Sequence, residues 1–130
     1  MDWSFRSDQP IYSQLVQQIR LAIISGTYSP GQRLMSVRDM AAEAGVNPNT
    51  MQRALQDLER EGMVCSQRTT GRFVTEDPTV IEQAKTKYAE EQIRVFFETM
   101  RKLPPRGPGY TDTLGLSDQA WAECFYQLFI

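Results

Sequence analysis

Positions 47 to 53 read Asn-Pro-Asn-Thr-Met-Gln-Arg, which gathers side-chain amides at Asn47, Asn49 and Gln52, a hydroxyl at Thr50 and a guanidinium at Arg53. An amide offers a donor and an acceptor side by side, which suits the major-groove edge of adenine. A guanidinium forks onto the two acceptors of guanine. Each good pair contributes roughly 1–3 kcal/mol of discrimination. The chemistry on offer is recognition by hydrogen bonding, with Asn49, Gln52 and Arg53 as candidate readers of base edges. On an isolated helix a plainer interpretation holds, in which Asn47 caps and the others form a solvated face. The flanking elements decide between the two.

Catalysis has little to work with. The 130-residue chain contains no His, so the commonest general base and a major metal ligand are missing. There is no Gly-rich phosphate loop, no metal-ligand spacing and no nucleophile–base pair. No enzyme activity, metal or cofactor is expected. Cys65 and Cys124 lie far apart, each in an apolar neighbourhood, and are expected to be reduced core residues. No apolar run approaches the roughly 18 residues of a membrane span, and MDWSFRSDQP does not have the layout of a signal peptide. The expected setting is cytoplasmic, without membrane contact.

A chain of this length buries one modest core and a small appendage. Pro10 opens a first helix whose stripe is Ile11, Leu15, Ile19, Ala22 and Ile23, and Gly26 ends it. Ser29-Pro30-Gly31 has the composition of a type II turn. Ser36 is placed to cap a second helix over 37–44, with Val37, Met40, Ala41 and Ala44 inward. Gly45 permits a sharp reversal. Asn47 caps a third helix, Pro48 takes its first position, and Met51, Ala54, Leu55 and Leu58 form the buried stripe until Gly62. Two β-prone runs, 63–66 and 72–75, then make a hairpin.

Two short helices joined at a glycine and followed by a hairpin compose a winged helix-turn-helix, whose second helix enters the major groove by its N-terminal end. That context favours base reading at the polar tip. The expected fold is therefore mainly α with a small β-hairpin: a winged helix-turn-helix over 1–77, then a short helical dimerisation region over 78–130.

Charge is the obstacle to this interpretation. The whole chain carries −2, and residues 1–77 hold eight arginines, no lysine and nine acidic residues, a net of −1. Nucleic-acid affinity usually rests on a basic surface. Placement answers the objection, because Arg33, Arg38, Arg53, Arg68 and Arg72 fall on the turn, the start of the second helix, the third helix and the wing. Asp57, Glu59 and Glu61 lie away from the tip. Arginine also supports forked phosphate recognition, and a few local copies outweigh an unfavourable total within one Debye length. Isolated surface arginines are more often solvated, but the wing places Arg68 and Arg72 within reach of phosphate or the minor groove.

The stretch from Pro10 to Val64, PIYSQLVQQIR through REGMV, continuing to Gly71-Arg72-Phe73-Val74, resembles the DNA-binding domain of GntR-type bacterial transcription regulators. Many spaced features agree, among them Pro10-Ile11-Tyr12, Pro30-Gly31, Ser36-Val37-Arg38, Gly45-Val46, Asn49-Thr50, Leu58-Glu59 and Gly62. Met35, Leu55 and Thr69 depart from the usual pattern. The Asn-Pro-Asn-Thr opening and the short C-terminal part look like the YtrA subfamily, whose tail is a small helical dimerisation unit. By position, the resemblance implies that Arg38 is the helix-two arginine of the DNA contact, that Asn47, Asn49 and Thr50 form the recognition tip, and that Gln52 and Arg53 set specificity. It implies double-stranded DNA as partner and leaves a small-molecule effector unknown.

Beyond Pro78, Val80, Ile81, Ala84, Tyr88, Ile93, Phe96, Phe97, Met100 and Leu103 give a long helix a broad apolar stripe, which LPPRGPG terminates. Ser117-Asp118 marks another helix start, and Trp121, Cys124, Phe125, Leu128 and Phe129 follow it. About 50 residues are too few to enclose a ligand readily. A homodimer interface through Tyr88, Ile93, Phe96, Phe97, Met100, Trp121, Phe125 and Leu128 is expected, giving a repressor that reads a palindromic operator. Near the N-terminus, Trp3 and Phe5 alternate with Ser4 and Arg6, as in a short strand packed on the winged domain by one face.

Overall fold

Leu15, Ile19 and Ile23 recur at helical spacing, and in the structure they share one buried cluster with Met51, Ala54, Leu55 and Leu58. The computed structural model describes residues 1–102. Its elements are α1 (Ile11–Ile24), α2 (Val37–Ala44), α3 (Pro48–Arg60), β1 (Val64–Gln67), β2 (Gly71–Val74) and α4 (Pro78–Lys102). The winged helix-turn-helix expected from the sequence is present. The stripe of α3 is fully buried, as are Met40 and Ala41 of α2, with Val37 and Ala44 half-buried beside them. Ile11 departs from the expected stripe and is 46% exposed, because Tyr12 takes the inward position in the first turn of α1.

The hairpin pairs Val64 with Val74 and Cys65 with Phe73 in antiparallel register. Side chains alternate along a strand. Val64 and Val74 face the core at 2% exposure each, which turns Cys65 to the opposite face. Cys65 is a free, exposed cysteine, contrary to the expectation of a core residue: its apolar neighbours Met63 and Val64 are buried, but strand alternation sends it outward. Cys124 lies outside the described residues.

The wing also has a third edge. Leu34 N–H donates to the Arg72 carbonyl at 2.9 Å, Val74 N–H to the Gln32 carbonyl at 2.9 Å, and Gly31 N–H to the Val74 carbonyl at 3.0 Å. Arg33 bridges to Phe73. The turn at Ser29-Pro30-Gly31 therefore delivers the chain along β2 before α2 begins.

Trp3 and Phe5 are half-buried against the core cluster and stack on each other at 6.2 Å. Among the described residues, no neighbouring strand accounts for their placement. Gln18 exchanges two hydrogen bonds with the backbone of Ser4, at 3.3 and 2.6 Å, and Gln14 two with that of Arg6, at 2.7 and 2.8 Å. Two glutamines one helical turn apart on α1 thus satisfy alternate peptide groups of an extended segment, as a strand would.

Residues Met1–Glu90 form one compact unit, and a second begins at Glu91. In the first, Asp77 Oδ1 accepts the Thr79 N–H at 2.9 Å to cap α4 ahead of Pro78, and Val80, Ile81 and Ala84 pack on the core. The described part of the second carries Arg94 between Glu91 and Glu98 and an edge-to-face pair, Phe96 and Phe97, at 5.8 Å. Val95 and Phe96 are exposed. Leu103, the LPPRGPG segment, the helix start at Ser117, and Trp121, Phe125, Leu128 and Phe129 lie outside the described residues.

Candidate nucleic-acid interface

The exposed end of α3 is built by two local devices. Gly45 adopts φ 69° and ψ 34°, the left-handed conformation, and closes α2 by donating to the Ala41 and Ala42 carbonyls. An L-residue there costs roughly 1–2 kcal/mol. Asn47 then caps α3, its Oδ1 accepting the Asn49 N–H at 2.8 Å, with Pro48 at the first helical position. Ser36 starts α2 in the same manner, accepting the Asp39 N–H at 3.1 Å. The polar opening of α3 thus satisfies orphan N–H groups that every helix start presents.

Capping accounts for Asn47 Oδ1 and for nothing further along. Asn49 and Arg53 are exposed, and Thr50 and Gln52 are half-buried. Among the described residues, the side chains of Asn49, Thr50, Gln52 and Arg53 make no hydrogen bond to protein. Their donors and acceptors face outward uncommitted. Arg53 has a different kind of partner: its Cζ lies over the Tyr12 ring, 4.9 Å from the centroid.

Charge is distributed so that the acids near the far end of α3 are neutralised. Asp57 pairs with Arg60 at 2.6 Å, Glu61 with Arg20 at 2.6 Å and Glu59 with Arg72 at 2.8 Å. Arg38 at the start of α2, Arg68 at the hairpin turn and Arg33 beside β2 are exposed. None of the three forms an ion pair among the described residues. The net negative charge of this unit therefore coexists with uncompensated guanidiniums around the α3 tip and the wing. Glu43, near the end of α2, accepts from Trp3 Nε1 at 3.2 Å. Burial, and then this carboxylate, holds the Tyr28 phenol above its ordinary range.

Of the residues singled out in the sequence, Asn47 caps α3, Asn49, Thr50, Gln52 and Arg53 share its first half, and Arg38 sits on α2. Arg68 stands at the wing tip. Arg72 is half-buried, its Nε committed to Glu59. Sequence reasoning did not find Tyr12 beneath Arg53, nor Glu59 as the partner of Arg72. Those contacts join residues 41 and 13 positions apart, and no local pattern signals them.

A helix-turn-helix whose second helix presents free amides, with a hairpin wing beside it, defines a winged helix-turn-helix DNA-binding protein. Residues 11–74 match the family described as bacterial regulatory proteins, gntR family. The chain is 38% identical over 103 residues to the uncharacterized HTH-type transcriptional regulator YhcF of Bacillus subtilis (strain 168), covering 79% of this chain and 85% of that one. It is 37% identical over 98 residues to the HTH-type transcriptional repressor YtrA of the same organism, covering 75% and 71%. Among solved structures, a GntR family transcriptional regulator from Listeria monocytogenes superposes with a TM-score of 0.72 at 33% identity, over 92% of this chain and 98% of that one. YtrA from Sulfolobus acidocaldarius, a GntR-family transcription factor, gives 0.54 at 26% identity, over 78% and 97%.

The chain belongs to the GntR family and is YtrA-like within it. It is a DNA-binding transcription regulator. No helix among the described residues is long and apolar enough to cross a membrane.

Proposed function

We propose that the protein is a cytoplasmic repressor that binds a palindromic operator as a homodimer, placing the N-terminal end of α3 in the major groove of each half-site. The observation that carries this reading is the set of uncommitted polar groups on Asn49, Gln52 and Arg53 at the exposed start of a helix whose opposite face is sealed in the core. These three read base edges. Asn47 and Thr50 hold the tip against the duplex. Arg38 anchors a phosphate from α2, and Arg68 with the remaining N–H groups of Arg72 reaches the backbone from the wing. Phosphate contacts set register and most of the affinity; the amides set sequence.

The division of labour follows the chain: residues 1–77 bind DNA and residues 78–130 dimerise. Along its 25 residues α4 carries no fully buried side chain, although Tyr88, Ile93, Phe96, Phe97 and Met100 lie on it. A second copy covers this apolar face, together with Trp121, Phe125 and Leu128. Two α3 helices related by a two-fold axis then meet half-sites about one helical turn apart. Occupancy of a promoter by the dimer blocks polymerase, and the relative named a repressor supports that direction of control. A titration of labelled duplex DNA with the purified protein at two salt concentrations tests the reading. Tight binding that weakens steeply with salt supports it, and absence of binding at the lower salt refutes it.

A further inference from the structure

Arg53 projects from the exposed face of α3, and its Cζ lies 4.9 Å from the centre of the Tyr12 ring on α1. Tyr12 is half-buried and packs on the core cluster. The fold therefore fixes the ring, whereas Arg53 alone is a long exposed chain with many rotamers. A guanidinium within about 6 Å of an aromatic face is attracted by the ring quadrupole. That attraction does not consume N–H donors, and among the described residues no Arg53 N–H donates to a protein acceptor. Arg60 and Arg72 differ, because Asp57 and Glu59 take donors from them.

We infer that Tyr12 is a positioning residue for DNA recognition. Its ring confines the Arg53 guanidinium to one region of the surface with the donor fork free, so part of the sequence selection exercised by α3 is set from α1. This rests on α3 being the recognition helix and deepens that reading. Confinement lowers the conformational cost of forming the forked contact with a base edge, which is the general advantage of preorganisation. The Tyr12 hydroxyl makes no hydrogen bond among the described residues, so the ring, and not the hydroxyl, is the working part.

The test uses the full chain and measures affinity for its selected duplex and for single-base-pair variants of it. Arg53→Ala flattens the preference at one base pair of each half-site. Tyr12→Leu reduces the preference at that same pair roughly two- to fivefold, Tyr12→Phe preserves it, and Tyr12→Leu adds nothing in the Arg53→Ala background. Tyr12→Met, a second ring-free variant, carries the same expectations should Tyr12→Leu fail to fold. An unchanged preference in the ring-free variant, or an equal loss in both backgrounds, overturns the inference. So does an Arg53→Ala protein with full selectivity, which leaves Asn49 and Gln52 as readers. A wild-type protein that selects no sequence removes the α3 reading itself. A second readout needs no DNA: the NMR order parameter of Arg53 Nε–Hε falls in the ring-free variant and not in Tyr12→Phe, and an unchanged value in both contradicts the inference.

Discussion

Arg72 Nε on β2 lies 2.8 Å from Glu59 Oε1 in the last turn of α3, with side-chain exposures of 20% and 26%. Ser66 Oγ on β1 donates to the same carboxylate oxygen. Three elements converge on one acid, so the wing and the recognition helix are tied directly as well as through the core. Glu59→Gln keeps the shape and removes the charge. It is expected to lower stability by about 1–2 kcal/mol, the scale of a charge-assisted hydrogen bond that is mostly shielded from water. Urea titration of Glu59→Gln, Arg72→Ala and the double variant checks this. The two losses are expected to be clearly less than additive, and full additivity would mean that the pair contributes no coupling.

Asn47 has two roles that a single substitution separates. Asn47→Asp retains an oxygen to accept the Asn49 N–H and places negative charge at a helix N-terminus. Stability is therefore expected to hold or to rise by about 0.3–1 kcal/mol. DNA affinity is expected to fall, because the carboxylate loses the amide donors and faces phosphate. Thermal melting and duplex titration of one preparation report both effects. A variant that melts earlier yet binds DNA normally would contradict both assignments.

Where the chain is cut matters for testing the dimer. Truncation after Pro78 would remove Val80, Ile81 and Ala84, which pack on the core, whereas truncation after Glu90 keeps the whole first unit. The 1–90 fragment is expected to be folded, monomeric in sedimentation experiments and much weaker on a two-half-site operator, since linked half-site contacts bind with avidity. A fragment that sediments as a dimer would refute the assignment of dimerisation to the later residues.

Glu91 supplies a pH dependence of known sign. Its hydrogen bond from the Arg94 side chain is the largest influence and holds the carboxyl below its ordinary range; desolvation opposes it, and the positive charge of Arg94 adds a lesser downward pull. A depressed folded-state pKa contributes stability that is present above the unfolded value and is lost as pH falls through the folded one. Acidification below the usual carboxylate range is therefore expected to loosen this part of α4. An NMR titration checks the cause: Arg94→Gln returns the Glu91 midpoint toward its ordinary value, and an unmoved midpoint would refute the pairing.

Much of the architecture was legible because its signals are local. Ser36 and Gly45 mark where α2 begins and ends, Asn47 and Pro48 mark where α3 begins, and the four apolar residues of α3 recur on one face. What escaped was long-range or combinatorial. The edge formed by Gly31 to Leu34 pairs with β2 some forty residues later, and no turn signal announces that. Trp3 and Phe5 showed their inward face by alternation, but the glutamine side chains that stand in for a neighbouring strand appear only once α1 is folded. Cys65 misled because an apolar neighbourhood in sequence becomes two opposite faces in a strand. At the candidate site, residue identities were readable, whereas which polar groups stay free depends on caps and ion pairs made in three dimensions.

Selection from a random duplex pool tests the central claim most directly, run in parallel with wild type, Asn49→Ala and Gln52→Ala. The wild type is expected to enrich an inverted repeat with half-site centres about one helical turn apart, and each variant to relax the preference at its own base pair within both halves. Enrichment of the same sequences by all three proteins, or of a site with no two-fold repeat, would contradict the claim that paired α3 helices read the operator.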